Sequence, residues 1–174
     1  MKIQGLNGDS ISLEPTGYQF PVLSPRLRDP DSNWLMIRGT VVVDTRIWSF
    51  HEPSLLVNEA NQLGSWLIEV ARGAVPVTEN DLETPEGEVW PSLYFVEPNL
   101  AFSVASRVGT LVSVRVHLSL ESAPRDDPHV ESFDIYKYFV DLQVTSSELE
   151  SAAREWLDSL ALFPSRRSTA EDPD

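Results

Sequence analysis

The segment Thr110–Leu120 (TLVSVRVHLSL) constrains the fold more than any other part of this chain. Apolar and polar residues alternate strictly along it. The apolar positions are Val112, Val114, Val116, Leu118 and Leu120, and the polar positions are Ser113, Arg115, His117 and Ser119. Successive side chains of a strand point to opposite faces, so one face of this segment is apolar and the other is polar. The pattern predicts a half-buried antiparallel strand.

Two hairpins are predicted in the first third of the chain. Lys2–Leu6 and Ser10–Glu14 flank an Asn-Gly pair, which readily takes the positive φ angles of tight turns. Trp34–Val43 and Arg46–Phe50 are rich in β-branched and aromatic residues, and two residues separate them. Pro15–Asp31, between the hairpins, contains four prolines and is predicted to be mostly loop.

Three further strands are predicted downstream. Val89–Val96 and Leu100–Ser106 precede the alternating segment and are joined to each other by a Glu-Pro-Asn turn. Phe133–Val144 follows it and carries large apolar residues on both faces, including Phe139, so we expect this strand to be covered on both sides. Short turns between neighbouring strands favour antiparallel pairing.

Two helices are predicted from apolar residues spaced three and four apart. In the first, Ser54 is expected to cap the start and Gly73 to close the end. Its apolar stripe consists of Leu56, Ala60, Leu63, Leu67 and Val70. The second is expected to open with a capping box formed by Thr145 and Glu148. Its buried side is expected to contain Leu149, Ala152, Ala153, Trp156, Leu157 and Leu160.

These segments predict one α+β domain over residues 1–164. The domain should contain a curved or two-layer antiparallel sheet of about eight strands, a helix near 54–73 and a C-terminal helix near 146–162. Residues 165–174 contain no large apolar residue and are expected to be a disordered tail.

The charge balance is strongly acidic. Thirteen Lys and Arg against 27 Asp and Glu leave a net charge of −14. Nucleic acid and anionic membrane would repel such a surface, whereas a basic partner fits it. The chain has no cysteine, and its first ten residues lack the apolar core of a signal peptide. These features predict a cytoplasmic protein.

The sequence contains no recognisable catalytic motif. Phosphate-loop, nucleophile-elbow and dinucleotide-binding patterns are all missing. The three histidines, His51, His117 and His129, have no second histidine or cysteine at metal-ligand spacing. We therefore predict no catalytic residue, no metal ligand and no cofactor.

The acidic residues are unevenly distributed. No Lys or Arg occurs between Arg72 and Arg107, and that interval contains most of the residues expected to contact a partner. They are Glu79, Asp81, Glu83, Glu86, Glu88 and Trp90, together with Asp126, Asp127 and Glu131 from a second polar segment. Separation of one sign of charge along the sequence suggests an acidic docking surface, although solvated loops would show the same pattern.

Several sequence blocks, spread over nearly the whole chain, resemble one known family. The blocks are IQGLNGDS at 3–10, GYQFP at 17–21, NWL at 33–35, WSF at 48–50, YFVEPNLAFSV at 94–104, VRVHLSLE at 114–121 and the Phe-Pro end of the final helix at 163–164. They are similar to the WapI-type bacterial immunity proteins. The resemblance implies binding to a secreted toxin whose C-terminal domain is often a nuclease acting on RNA.

Charge and resemblance together predict a non-enzymatic immunity protein that binds and neutralises a basic toxin domain, most simply a nuclease, without touching nucleic acid or membrane itself. Two alternatives stay open at this point. One is a small-molecule-binding module with Trp48, Trp66 and Trp90 lining a pocket between sheet and helix. The other is an enzyme with an unrecognised pair of carboxylates in that pocket.

Overall fold

The computed structural model describes residues 1–21, 29–78, 90–125 and 135–166. Within these ranges the chain forms eight strands in two four-stranded antiparallel sheets. Two long helices, one helical turn, α1 (Asp29–Ser32), and one 3₁₀ turn (Leu120–Ser122) complete the fold. This arrangement confirms the predicted α+β class and its antiparallel, two-layer sheet.

The first sheet is built from the two predicted hairpins. It contains β1 (Lys2–Gln4), β2 (Ser10–Tyr18), β3 (Trp34–Val43) and β4 (Arg46–Leu56), paired in chain order. β2 and β4 run further than the sequence predicts, through Pro15 and Pro53. The pairing with β3 shifts beside each proline, which leaves Thr16 and Ser54 outside the ladder. Such bulges accommodate a residue that cannot donate to its neighbour.

The second sheet has the alternating segment at its centre. Its members are β5 (Leu93–Tyr94), β6 (Leu100–Val108), β7 (Leu111–Leu118) and β8 (Phe139–Thr145), again paired in chain order. β5 and β8 are shorter than predicted, because 90–92 and 135–138 do not pair as strand. Residues 89 and 133–134 of the predicted strands lie outside the described residues.

The apolar face of β7 is in the core, as predicted. Its four apolar residues Val112, Val114, Val116 and Leu118 have no exposed surface. Two expectations were wrong. Leu120 leaves the strand with a φ of 52° and begins the 3₁₀ turn. The polar face is also largely covered, since Ser113 and His117 are buried, so β7 is a central strand rather than a half-buried one.

The two long helices are α2 (Val57–Ala71) and α3 (Ser146–Leu160). Ser54 does not cap α2, because β4 continues to Leu56, which is the capping residue. Gly73 closes α2 as predicted, at a φ of +78° that glycine adopts without a steric penalty. Its N–H donates to the carbonyl of Val70, and the N–H of residue 74 donates to that of residue 69. These are the paired bonds of a Schellman ending.

The predicted capping box of α3 is confirmed. The Glu148 N–H donates to Thr145 Oγ1 at 3.3 Å, and the Thr145 N–H donates to a Glu148 carboxylate oxygen at 3.1 Å. The hydrogen bonds from Thr145 also hold the pKa of the exposed Glu148 carboxyl below its ordinary value. The predicted buried side of α3 is correct except that Leu157 is half-buried.

The helices pack closely against each other. A Cβ at Gly64 of α2 would lie 2.5 Å from Leu157 Cδ2, so glycine permits the close approach of α3 at this point. Trp156 is fully buried, and its Nε1–H donates to the carbonyl of Ala60 at 2.7 Å. One continuous core contains residues of both sheets and both helices.

The sheets meet each other at two places. The Leu6 N–H donates to the Gln143 carbonyl at 2.9 Å, which joins the β1–β2 turn to β8. Trp48 Nε1–H in β4 donates to the Ser122 carbonyl at 3.0 Å. The second of these contacts holds the 3₁₀ turn, at one end of the second sheet, against the first sheet.

The C-terminal end of the described chain is held by side chains. The Arg166 N–H donates to Asn33 Oδ1 at 2.7 Å, and its guanidinium lies 3.3 Å from the ring centroid of Tyr18. Ser165 and Arg166, which the sequence assigned to a tail, therefore contact the domain. Residues 167–174 lie outside the described residues.

Candidate partner-binding surface

Of the nine predicted partner-binding residues, one belongs to the described part of the chain. Trp90 is described, and 66 % of its surface is exposed. The other eight lie outside the described residues: Glu79, Asp81, Glu83, Glu86, Glu88, Asp126, Asp127 and Glu131. In sequence, the first segment lies between residues 78 and 90, shortly before β5. The second lies between residues 125 and 135, shortly before β8.

The tryptophans proposed to line a pocket make different contacts. Trp66 is in the core, with its ring centroid 6.1 Å from that of Phe102. Trp48 packs edge-on against Tyr138 at 5.9 Å and donates to the 3₁₀ turn. Trp90 faces solvent. Two of the three therefore have packing roles.

The outer face of the second sheet presents a row of paired residues, one from each strand. Tyr94 pairs with Ala101, Ala101 with His117, and His117 with Phe139. The two central members have no exposed surface, whereas Tyr94 is 64 % and Phe139 is 40 % exposed. Phe139 was expected to be covered, so this exposure corrects that prediction. The row presents two aromatic side chains to solvent from opposite edges of the sheet.

The turn before β8 adds to this row. Tyr136 packs edge-on against His117, with ring centroids 6.1 Å apart, and Ile135 is 45 % exposed. Tyr136 is half-buried, and its burial together with the charge of Tyr94 raises the pKa of its hydroxyl. We call the surface formed by Tyr94, Val96, Ile135, Tyr136 and Phe139 the aromatic face.

An ion pair supports one edge of the aromatic face. Arg115 and Asp141 lie opposite each other on β7 and β8 and form two hydrogen bonds of 2.7 and 2.8 Å. The Arg115 guanidinium lies 3.8 Å from the ring centroid of Phe139. Asp141 thus neutralises the guanidinium of Arg115, and this guanidinium in turn restrains the ring of Phe139.

Two carboxylates lie at the end of the sheet beside the aromatic face. Burial and the charge of Glu121 raise the pKa of Glu97 above its ordinary value. Within the described part of the chain neither carboxylate has an ion-pair partner. Asn99 connects their segments, because its carbonyl accepts from the Ser119 N–H at 3.0 Å and from the Ser122 hydroxyl. We call Glu97 and Glu121 the acidic rim.

A buried carboxylate fixes the segment that carries the rim. Glu59 of α2 is 6 % exposed and accepts from the Leu56 N–H at 2.9 Å and from the Val96 N–H at 2.8 Å. Sequence reasoning missed this residue. The sequence feature that could have identified it is a glutamate three positions after the N-cap residue, where a capping side chain is common.

His117 connects the aromatic face to the interior of the sheet. Its Nδ1 lies 2.8 Å from the carbonyl of Tyr136 and its Nε2 lies 3.1 Å from Ser103 Oγ. A carbonyl only accepts, so Nδ1 carries the proton and Nε2 accepts from the serine. Ser103 is 1 % exposed and His117 is fully buried. This serine–histidine pair has a structural role, because a substrate has no access to it.

Stability should fall as the pH falls below the ordinary pKa of histidine. Burial lowers the pKa of His117 below the ordinary histidine value of 6.5; Arg115 lowers it further, whereas the Tyr136 carbonyl and Asp141 oppose this change. The folded protein therefore binds this proton more weakly than the unfolded chain, and the stability present above pH 6.5 is lost below it. We expect the free energy of unfolding to decline between pH 7 and pH 5.5.

The measurement is urea unfolding across that pH range for the wild type, His117→Gln and His51→Gln. The first variant should be less stable at pH 7 and should show a flatter pH dependence. His51 is exposed and serves as the matched control. An unchanged pH slope in His117→Gln would contradict the assignment.

Two further findings concern the described residues. Among them, no group of three or more His, Cys, Asp or Glu side chains is arranged to hold a metal ion. In the same ranges, the helices are too short or too polar for one to cross a membrane.

The fold and this surface define a class: an α+β domain that presents an exposed aromatic face and an acidic rim on one antiparallel sheet. A family model matches residues 2–164, and its description is the immunity protein WapI-like family. The chain belongs to that family, as the resemblance of its sequence blocks implied. No curated protein and no solved structure shows a significant match.

Proposed function

We propose that this protein binds and neutralises a toxin domain in the cytoplasm, and that the toxin is a basic nuclease. Membership of an immunity protein family over residues 2–164 carries the proposal, because an immunity protein requires a toxin partner. A nuclease binds phosphate, so its active cleft is basic. A protein with a net charge of −14 complements such a cleft.

The two acidic segments are proposed to attract the toxin. Their carboxylates are Glu79, Asp81, Glu83, Glu86 and Glu88 in one segment and Asp126, Asp127 and Glu131 in the other. The first segment is followed by the exposed Trp90, four residues before Tyr94 of the aromatic face, and the second is followed by Ile135 of the same face. Charges outside the centre of an interface act mainly on the association rate, through long-range attraction.

Inhibition by binding, without turnover, is the proposed mechanism. The described residues offer one serine–histidine pair, Ser103 and His117, and it is buried in the sheet. Of the two carboxylates of the acidic rim, Glu97 is half-buried and Glu121 is exposed. Occlusion of the toxin's phosphate site by acidic side chains requires no catalytic group of this chain.

The test uses a candidate cognate toxin domain, and the first candidate to clone is the C-terminal domain of any large secreted protein encoded next to this chain. Wild-type protein should bind that domain and abolish its nuclease activity at a one-to-one ratio. A variant with Glu79, Asp81, Glu83 and Glu86 all changed to lysine should associate roughly 10- to 1000-fold more slowly at low salt. Its association rate should also depend less on salt, and its melting temperature should be unchanged. Stopped-flow binding at low and high salt measures both effects.

Two results would contradict parts of this proposal separately. Absence of binding by the wild type would remove the neutralising function. Equal association rates and equal salt dependence for the two proteins would leave the function in place but would show that the acidic segments do not steer the toxin.

A further inference from the structure

We propose that the aromatic face is the surface that binds the toxin, with Tyr94 and Phe139 as its two anchors and the acidic rim receiving lysine or arginine side chains of the toxin. This inference rests on the proposed function and adds the location and chemistry of the contact. It assigns the main affinity to described residues of the second sheet, rather than to the two acidic segments.

The first argument is the concentration of exposed apolar area. Tyr94, Val96, Ile135 and Phe139 are 64 %, 71 %, 45 % and 40 % exposed. Tyr94 and Phe139 lie in one row across the second sheet, and Val96 and Ile135 are close to them in sequence. Large side chains left exposed together mark interaction sites, whereas single exposed ones are ordinary. Aromatic residues are also the commonest centres of binding energy in protein interfaces.

The outer face of the first sheet makes an informative contrast. On it, polar side chains of β2 pair with polar side chains of β3 and β4, with an ion pair between Glu14 and Arg38 at 2.9 Å and a hydrogen bond between Thr16 and His51 at 2.8 Å. Such a face gains little from a partner, since its polar groups already have one. The exposed rings of the aromatic face are not joined to one another by such ion pairs or hydrogen bonds.

The second argument is that the aromatic face is held in one shape. Phe139 is restrained by Arg115, which is itself fixed by two hydrogen bonds to Asp141. The Tyr136 carbonyl is bound by His117. Anchors that are already ordered lose less conformational freedom on binding, and more of their contact energy is retained as affinity.

Backbone geometry points to the same place. Three non-glycine residues among those described have a positive φ; one of them, Tyr136, belongs to the aromatic face, and another, Leu120, directly precedes Glu121 of the acidic rim. Residues other than glycine, asparagine and aspartate seldom adopt this conformation. Unfavourable backbone of this kind concentrates where a particular surface shape is required.

The third argument identifies the occupant. Arg115 is neutralised by Asp141, whereas Glu97 and Glu121 repel each other and have no cation within the described part of the chain. A lysine or arginine from the partner would relieve that repulsion and could stack on a neighbouring ring. A second copy of this chain would bring a further net charge of −14 to the same place. The basic face of the toxin is therefore the occupant that fits.

The experiment compares the double variant Tyr94→Ala/Phe139→Ala with Phe20→Ala. Phe20 is 38 % exposed, close to the 40 % of Phe139, and supplies a matched aromatic control outside the aromatic face. The probe is the toxin domain that the wild-type protein is found to bind, inactivated so that it can be handled at high concentration. We expect the double variant to lose roughly 100-fold in affinity, mainly through faster dissociation. Phe20→Ala should stay within about threefold of the wild type.

A second variant tests the acidic rim. Glu97→Gln/Glu121→Gln removes two charges and keeps similar shapes, so it should weaken binding most at low salt. Glu69→Gln/Glu155→Gln, on exposed positions of α2 and α3, removes the same charge elsewhere and is the control. Equal affinities for the two charge variants would overturn the role of the acidic rim.

Hydrogen exchange on the wild-type complex does not depend on any variant folding. Binding of the toxin domain should slow exchange in 93–101 and 135–140 and leave β3 unchanged. Protection confined to other segments, or wild-type affinity in a folded Tyr94→Ala/Phe139→Ala protein, would overturn the inference while the proposed function stands. A wild-type protein that does not bind the toxin domain would overturn both. Dimers that dissociate in the double variant would assign the aromatic face to self-association instead.

Discussion

Replacing Val116 with aspartate is expected to unfold the domain. Val116 is at the centre of β7, has no exposed surface, and pairs with Phe102 on one side and Val140 on the other. A buried charge without a partner costs several kcal/mol, and a domain of this kind has only about 5–15 kcal/mol of stability in total. Circular dichroism during thermal and urea unfolding is the measurement.

The matched control for this change is Val108→Asp. Val108 is on β6 of the same sheet, but 74 % of its surface is exposed. The aspartate there remains in water, so stability should change by no more than about 0.5 kcal/mol. A Val116→Asp protein that melts like the wild type would contradict the register of the second sheet.

Replacing Trp156 with alanine is expected to cost about 3–5 kcal/mol of stability. Trp156 is the largest fully buried side chain, and its Nε1–H donates to the Ala60 carbonyl, so it joins α3 to α2. Alanine would leave a cavity between the helices and remove that hydrogen bond. Urea unfolding at pH 7.5 measures the loss.

Two variants separate the contributions to this effect. Trp156→Phe keeps an aromatic ring without the indole donor, so it should recover more than half of the lost stability. Trp90→Ala removes an indole that is 66 % exposed and should change stability by no more than about 0.5 kcal/mol. If Trp156→Ala and Trp90→Ala were equally stable, α3 would not depend on this contact.

The sequence by itself determined which segments form the core elements. Alternation along β7 and helical spacing in α2 and α3 identified residues that are buried in the structure, including Val112, Leu63 and Leu149. These patterns are local, because the period of side-chain direction is set by the backbone of the element itself. The capping box at Thr145 and the helix end at Gly73 were predictable for the same reason.

Element ends near proline and near turns were decided by tertiary contacts. β2 and β4 continue past Pro15 and Pro53, because a neighbouring strand absorbs each proline at a bulge. Leu120 breaks the alternation of β7, since the 3₁₀ turn there is held by Asn99 and by Trp48 of the other sheet. No local pattern contains that information.

The charge and the sequence blocks were sufficient for the family, but not for the surface. Nothing in the order of residues indicated that Tyr94 and Phe139 would occupy one row, because two intervening strands align them. Likewise, Glu59 joins the start of α2 to the 95–99 turn only because the tertiary structure places α2 against that turn. Burial and exposure depend on which strand lies beside which, and strand neighbours are set by packing of the whole core rather than by any single segment.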